Sequence, residues 1–273
     1  MIVFPNCKIN LGLHILQKRA DGYHDLETVF FPLALYDCLE IIQEPNPAQT
    51  EIKFSTSGRE IDSSADQNIC TKAFRLLKID FPHLPPVEMH LHKVIPSGAG
   101  LGGGSSDGAF ALMLLDKKFN LGLSEQQLID YALQLGSDCP FFIKNKPCIA
   151  SGRGEKFDEL QLDLSAYKIV LVNPGIHINT GQAFSHILPI DKRVSLKEII
   201  KSPINNWKDV LINDFEEPVF SIHPEIKKIK QQLYNWGAVY ASMSGSGSSV
   251  YGLFEKHLEL ELQFPEHYFI KEI

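Results

Sequence analysis

The sequence predicts an α+β protein built as two domains, and three features carry that expectation. Residues 87–94, VEMHLHKV, alternate apolar with polar, the pattern of a strand buried on one face only and typical of antiparallel sheets. After Lys168 the periodicities come close to a β-α-β-β-α-β plan with extra helices inserted. A length of 273 residues allows one large or two ordinary domains, and the polar stretch Ser151 to Ala166 is the best candidate for a boundary. The expected division is 1–155 and 156–273.

In chain order, residues 7–13 alternate as a strand that puts Lys8 and Asn10 on one face. Residues 27–43, ETVFFPLALYDCLEIIQ, read as two strands broken by Pro32 and the Tyr36-Asp37 bend. Asp66 to Leu77 reads as a helix, with Ile69, Ala73, Leu76 and Leu77 on one face. The glycine cluster Gly98 to Gly104 precedes a helix opening near Ser105, whose stripe is Ala109, Leu112, Met113 and Leu115. Ser124 and Gln127 form a capping box for a helix through Leu135, which Gly136 ends. SDCPFFI is expected as a loop running into an extended segment. Beyond it come a strand (KIVLVN), helices around 195–213, and a helix over PEIKKIKQQLYNW stopped by Gly237. Strands over AVYASM and SVYGLF flank the turn SGSGS, and a helix and a last strand, HYFIKE, close the order.

Composition excludes several classes of function. Apolar residues are 44% and charged residues 22%, as in a globular protein and unlike disordered, collagenous or coiled-coil chains. The 26 Lys+Arg against 33 Asp+Glu leave a net charge of −7, which removes broad attraction to nucleic acid or anionic membranes but permits a local basic pocket. The 5 cysteines are odd in number and never spaced as CxxC, so they are expected as reduced thiols. Lys8, Asn10 and His14 interrupt the apolar amino terminus and no basic segment precedes it, so no signal peptide is expected. No apolar run reaches the roughly 18 residues of a membrane span. A cytoplasmic location is the expectation.

The segment PSGAGLGGGSSDGA, from Pro96 to Ala109, is the strongest chemical signal. Small residues just before a helix turn successive N–H groups toward one anion, which suits phosphate; the bland alternative is a surface loop. Gly98, Gly100 and Gly103 satisfy G-x-G-x-x-G, yet the strand before them is half exposed and a second helix follows, which excludes a dinucleotide site. A P-loop fails because Ser105 stands where lysine is required. The turn Ser244 to Ser249 is either an ordinary hairpin or a point of close backbone approach. Lys8 is a charge-neutralising cation or a plain strand lysine, and Asp138 a base or a loop cap. Tyr23 and His24, in the DGYH turn, suit a flat base by stacking and hydrogen bonding, or simply form a turn. His90 and His92 lack a third ligand and are read as a solvated strand face, so no metal site is expected. Ser195 lacks the G-x-S-x-G context of a hydrolase.

Together these segments resemble the GHMP small-molecule kinases, whose three motifs correspond to the Lys8 strand, the PSGAGLGGGSSDGA loop and the SGSGSSVYGLF hairpin. Within that family, KINLGLHILQKRADGYHDLETVF and LGSDCPFF resemble the branch acting on 4-diphosphocytidyl-2-C-methyl-D-erythritol; the DGYH element is not shared with mevalonate, homoserine or galactose kinases. The resemblance implies ATP-dependent phosphorylation of the 2-hydroxyl of that compound in the non-mevalonate route to isoprenoid precursors, with magnesium entering on ATP. It implies Asp138 as base and Lys8 as the group that holds and polarises the hydroxyl. Pro96, Ser97, Gly98, Ala99, Gly100, Leu101, Gly102, Gly103, Gly104, Ser105 and Ser106 would wrap the ATP phosphates, with Asn68 and Lys93 near the adenosine. Tyr23 and His24 would bind cytosine with Phe184 as the opposing stacking face, and Asn10 and Thr180 would lie at the methylerythritol end. Ser137 and Cys139 flank Asp138 where the family more often has Ala and Val, and Gly108 stands where Ala is common. The implied fold is an S5-like amino-terminal domain and a ferredoxin-like carboxy-terminal domain with the active site in the cleft, as a monomer or homodimer. The alternatives are another GHMP kinase with a different alcohol, or a nucleotide-binding regulatory protein without transfer activity.

Overall fold

The computed structural model describes residues 1–44, 51–61, 63–185, 187 and 193–273, with the side chains of Thr180, Gln182 and Ser185 outside the described set. Its elements begin with β1 (Ile2–Val3), β2 (Asn6–Lys18), β3 (His24–Tyr36), β4 (Cys38–Gln43) and β5 (Ile52–Gly58). There follow α1 (Ile69–Asp80), β6 (Val87–Lys93), α2 (Gly103–Phe119), α3 (Glu125–Leu135) and α4 (Cys139–Lys144). Next come β7 (Cys148–Gly152), β8 (Lys156–Glu159), β9 (Tyr167–Asn173), α5 (Thr180–Ser185) and α6 (Leu196–Ile199). The chain ends with α7 (Glu216–Ile222), α8 (Pro224–Asn235), β10 (Tyr240–Met243), β11 (Val250–Glu255) and β12 (Phe269–Glu272).

Two units are woven from non-contiguous stretches. One comprises Met1–Cys7, Ala34–Ser97 and Gly102–Asn145; the other comprises Lys8–Leu33, Gly98–Leu101 and Lys146–Ile273. In the first, a sheet of order β1-β4-β6-β5 buries Leu39, Ile41, Val87, Met89 and Leu91, and α2 packs against α1, α3 and α4. The alternation of residues 87–93 is realised as expected, with β4 antiparallel to β6, although β5 runs parallel to it. On the open face His90 and His92 hydrogen-bond to Ser55 and Ser57, and among the described residues no three His, Cys, Asp or Glu groups converge as metal ligands. The capping box at α3 forms as read, with Gly136 at its C-cap.

The second unit holds two antiparallel sheets, β2-β3-β7-β8 and β10-β11-β9-β12. Numbered by their place in the chain, the strands of the latter lie in the order 4-1-3-2, the arrangement of a split β-α-β unit. Its core is Val170, Val172, Ile226, Ile229, Leu233, Ala241, Met243, Val250 and Phe254, with Leu13 and Ile15 of β2 added. The 5 cysteines are free thiols. Among the described residues no helix is long and apolar enough to cross a membrane.

Five elements differ from expectation. Residues 139–144 are helical, because Pro140 in the first turn replaces an N–H that would have no partner there, and Asn145 ends the turn in a left-handed conformation. Residues 256–268 form no helix: Leu258, Leu260, Leu262 and Phe264 recur every second position and pack against the core as extended chain. The helical region 195–213 is cut at Pro203 into α6 and a single 3₁₀ turn, Ile204–Asn206. The helices at 66 and 105 start elsewhere, at Ile69 behind an Asn68 cap and at Gly103.

The same unit buries a histidine. His14 is 2% exposed, and among the described residues its Nδ1 has no hydrogen-bond partner. Burial, helped by the Arg193 charge, pushes its pKa down from 6.5 to about 4. The unfolded chain therefore takes up a proton below about pH 6.5 that the folded chain refuses until about pH 4, so stability falls as pH drops through that window. Between pH 7.5 and 5 the loss is expected to be about 2 kcal/mol. Urea unfolding of wild type and His14→Gln at both pH values measures it, and a pH-independent difference between the two proteins refutes it. Asp107, whose carboxyl burial raises, acts with opposite sign in both proteins and cancels in that difference.

Candidate active site

In the second unit the Lys8 strand, the first half of the glycine loop and the serine hairpin meet. Lys8 and Asn10 share a face of β2, as the period-two reading requires; both are buried, and the Lys8 Nζ donates to Asn10 Oδ1 at 2.6 Å while lying 4.7 Å above the Phe30 ring. Asn10 Nδ2 donates to Thr28 Oγ1 at 2.9 Å, and that hydroxyl donates to the Gly12 carbonyl at 2.6 Å, which fixes the amide orientation. The Lys8 N–H donates to Leu101 O at 2.9 Å, and Ser249 N–H to Ala99 O at 3.2 Å.

Ser244, fully buried, links the segments. Its hydroxyl accepts from Asn10 N–H at 3.1 Å and donates to Gly100 O at 2.8 Å. Asn213 holds the hairpin by donating to Met243 O at 2.7 Å and Gly245 O at 2.8 Å. Gly100 has φ +77, and a β-carbon on it would lie 2.0 Å from the Ser244 carbonyl oxygen, so only glycine permits this approach. The two glycine-serine loops, far apart in sequence, thus form one assembly, and the hairpin turn serves close backbone approach.

In the first unit, Gly102, at φ +67, starts α2 without a side-chain cap. The N–H groups of that first turn are therefore unsatisfied by any cap, and the helix dipole adds positive potential at the same end. A β-carbon on Gly104 would meet nothing within 4 Å. Open space above uncapped donors fits a polyphosphate. Pro96 is buried and Ser97 exposed where β6 leads into the loop. Ser105 and the buried Cys139 hydrogen-bond, and burial pushes that thiol up to about 12. The departure at Gly108 has a steric reason, since a β-carbon there would lie 2.7 Å from Ile69 Cγ1.

Lys93 is turned inward, its ammonium held by Asp37 and, at 2.7 Å, by Asp107, with all three buried. Asp37 also accepts from Val94 N–H at 2.6 Å and Ile95 N–H at 2.9 Å, so the triad ties the end of β6 to α2. Burial and the neighbouring Asp37 raise the Asp107 carboxyl, against the opposing pull of Lys93. Asn68 caps α1, its Oδ1 accepting from Cys70 N–H at 2.9 Å. Asp138 immediately precedes α4, half-buried, and its side chain makes no capping bond.

At the DGYH turn Tyr23 is 57% exposed, with the Arg153 guanidinium 5.0 Å above its ring. The His24 and Phe184 rings stack directly at 4.9 Å and 14°, so Phe184 opposes His24 without a gap for a base, and the accessible ring is that of Tyr23. Burial lowers the His24 pKa, with Lys18 contributing. Thr180 opens α5, and its side chain lies outside the described residues. Sequence reasoning missed Asp37, read only as a bend, and the linking role of Ser244, whose one visible signal was the Gly-Ser composition of its turn.

Residues 68–146 match the family model described as GHMP kinases N terminal domain, and residues 195–266 the one described as GHMP kinases C terminal. The chain is 55% identical over 255 residues to the 4-diphosphocytidyl-2-C-methyl-D-erythritol kinase of Bacteroides thetaiotaomicron, spanning 93% of this chain and 92% of that one. To the enzyme of the same name from Prosthecochloris aestuarii it is 40% identical over 262 residues, with 93% and 89% covered. A crystal structure of 4-(cytidine 5'-diphospho)-2C-methyl-D-erythritol kinase superposes with a TM-score of 0.78 at 30% identity, over 93% of this chain and 90% of that one. A mevalonate kinase structure, at 15% identity and a TM-score of 0.66, shares the fold. The chain belongs to the GHMP kinase family, among its 4-diphosphocytidyl-2-C-methyl-D-erythritol kinases.

Proposed function

We propose that the protein transfers the γ-phosphoryl group of ATP to the 2-hydroxyl of 4-diphosphocytidyl-2-C-methyl-D-erythritol. The observation that carries this is the docking of Gly98–Leu101 onto the Lys8 strand, which puts a buried ammonium and an oriented amide beside a backbone anion loop. Phosphoryl transfer demands positioning and charge neutralisation more than covalent chemistry, and these are the groups that supply them.

In this reading the residues from Pro96 to Ser106 hold the ATP phosphates, and magnesium arrives on the nucleotide and neutralises its charge. Lys8 polarises the acceptor hydroxyl, with Asn10 and Thr180 at the methylerythritol end. Asp138 takes the hydroxyl proton. Tyr23 stacks on cytosine, and the His24–Phe184 pair forms the wall beside it. Lys93 serves the loop from below by anchoring α2 through Asp107, while Asn68 holds the start of α1.

ADP release from magnesium-ATP, measured with this acceptor beside mevalonate, homoserine and galactose, tests the proposal. Turnover with the cytidine compound alone is expected. Turnover with another acceptor overturns the substrate, and nucleotide binding without turnover on any acceptor overturns the transfer reaction.

A further inference from the structure

His177, which the sequence did not single out, lies against the glycine loop. Its Nδ1 is 3.2 Å, and its Cε1 3.5 Å, from the position a β-carbon on Gly98 would occupy. Both residues are exposed, and Gly98 holds φ +62, a left-handed conformation that favours glycine. Among the described residues no hydrogen bond engages either ring nitrogen of His177, so the imidazole is unspent.

Its backbone is well held. Gly175 N–H donates to Asn173 Oδ1 at 3.0 Å, and Ser248 Oγ donates to Ile176 O at 2.5 Å, so the segment carrying His177 is tied to the same hairpin that grips Ala99 and Gly100. The Lys8 ammonium already donates to Asn10, and the protein as a whole carries −7. An imidazole N–H beside Gly98 supplies a side-chain donor where Gly98–Leu101 offers only backbone groups.

We propose that His177 is a phosphate-binding residue of the nucleotide site, donating a ring N–H to a phosphate oxygen of the ATP held by Gly98–Leu101. This rests on the reading of that loop as the ATP cradle. A side-chain donor fixed to the loop wall adds one hydrogen bond to a charged acceptor, and its loss is expected to weaken phosphate binding about tenfold.

The experiment compares wild type, His177→Ala and His177→Gln by calorimetric titration with AMP-PNP, ADP and adenosine, together with KM for ATP and for the acceptor. The alanine variant is expected to bind AMP-PNP about tenfold more weakly with adenosine affinity unchanged, and the glutamine variant, which keeps an N–H donor, to recover most of the loss. KM for the acceptor stays within about twofold, because the contact is to the nucleotide. Equal weakening of adenosine and AMP-PNP, or no change in either, overturns the role of His177. Wild type that fails to bind AMP-PNP at all overturns the loop reading itself, a separate result. Since His177 is exposed and makes no hydrogen bond, unchanged thermal midpoints are expected for both variants.

Discussion

Gly100→Ala is expected to reduce kcat/KM for ATP by at least about 100-fold, because the new methyl would displace the phosphate loop from the strand that carries Lys8. Two penalties coincide at this position. The left-handed backbone, φ +77, costs a non-glycine residue about 1–3 kcal/mol, and the β-carbon would stand 2.0 Å from the Ser244 carbonyl oxygen, a backbone atom that cannot swing aside. Relief requires Gly100 and Ser244 to separate, which stretches the bond from Ser244 Oγ to Gly100 O and the neighbouring bond from Ser249 N–H to Ala99 O. Gly104→Ala is the matched control. It sits in the first turn of α2 with nothing within 4 Å, so the fold is expected to keep its stability or gain up to about 1 kcal/mol. Nucleotide binding should nonetheless weaken there, since the methyl occupies the space a phosphate approaches. Thermal melts and ATP titrations of both variants separate the effects: loss of stability and of binding at 100, loss of binding alone at 104. A Gly100→Ala protein with wild-type melting and wild-type KM for ATP would show that the close approach to Ser244 does not position the loop.

The contrast between those glycines shows what a sequence can and cannot reveal. That Gly98 to Gly104 forms a glycine loop ahead of a helix was legible, because local composition and the following apolar stripe suffice. The shared face of Lys8 and Asn10 was legible for the same reason: a period of two is a local property. Ser244 was not, since a hydroxyl in a Gly-Ser turn looks like hairpin filler until Asn10, 234 positions earlier, is seen donating to it. Asp37 was hidden in the same way. Nothing near a Tyr-Asp bend announces a buried carboxylate bound to a lysine 56 positions on.

Two errors of secondary structure have different origins. SDCPFFI, expected as a loop running into an extended segment, is helical from Cys139 because proline in a first turn favours a helix, and burial of Cys139, Phe141 and Phe142 completes it. At residues 256–268 the sequence did contain the answer. Leu258, Leu260, Leu262 and Phe264 alternate, and the expectation of a second crossover helix overrode that period. The sheet order 4-1-3-2 forms without that helix, because the extended segment covers the same apolar surface with every second side chain.

In the proposed reaction Asp138 is the base, and burial sets it apart from the two aspartates that hold Lys93. Asp37 and Asp107 are at most 2% exposed and locked to Lys93, so a substrate hydroxyl cannot reach them. Asp138 is half-exposed at the opening of α4, and its carboxylate is not spent on capping that helix. Asp138→Asn keeps the shape and removes the proton acceptor, and is expected to lower kcat by about 10²- to 10⁴-fold, the usual worth of a general base. Affinity for AMP-PNP should stay within about twofold and the thermal midpoint should hold, because the Asp138 side chain makes no capping bond to α4 and the buried Phe141 and Phe142 are untouched. Asp107→Asn predicts the reverse pattern: the Lys93 triad loses a charge, so stability and nucleotide binding shift while the chemical step, measured in single turnovers at saturating ATP, changes little. Single-turnover rates for the two variants therefore assign the roles. A slow chemical step in Asp107→Asn with a normal one in Asp138→Asn would exchange them, and normal rates in both would mean that the transfer proceeds without a carboxylate base.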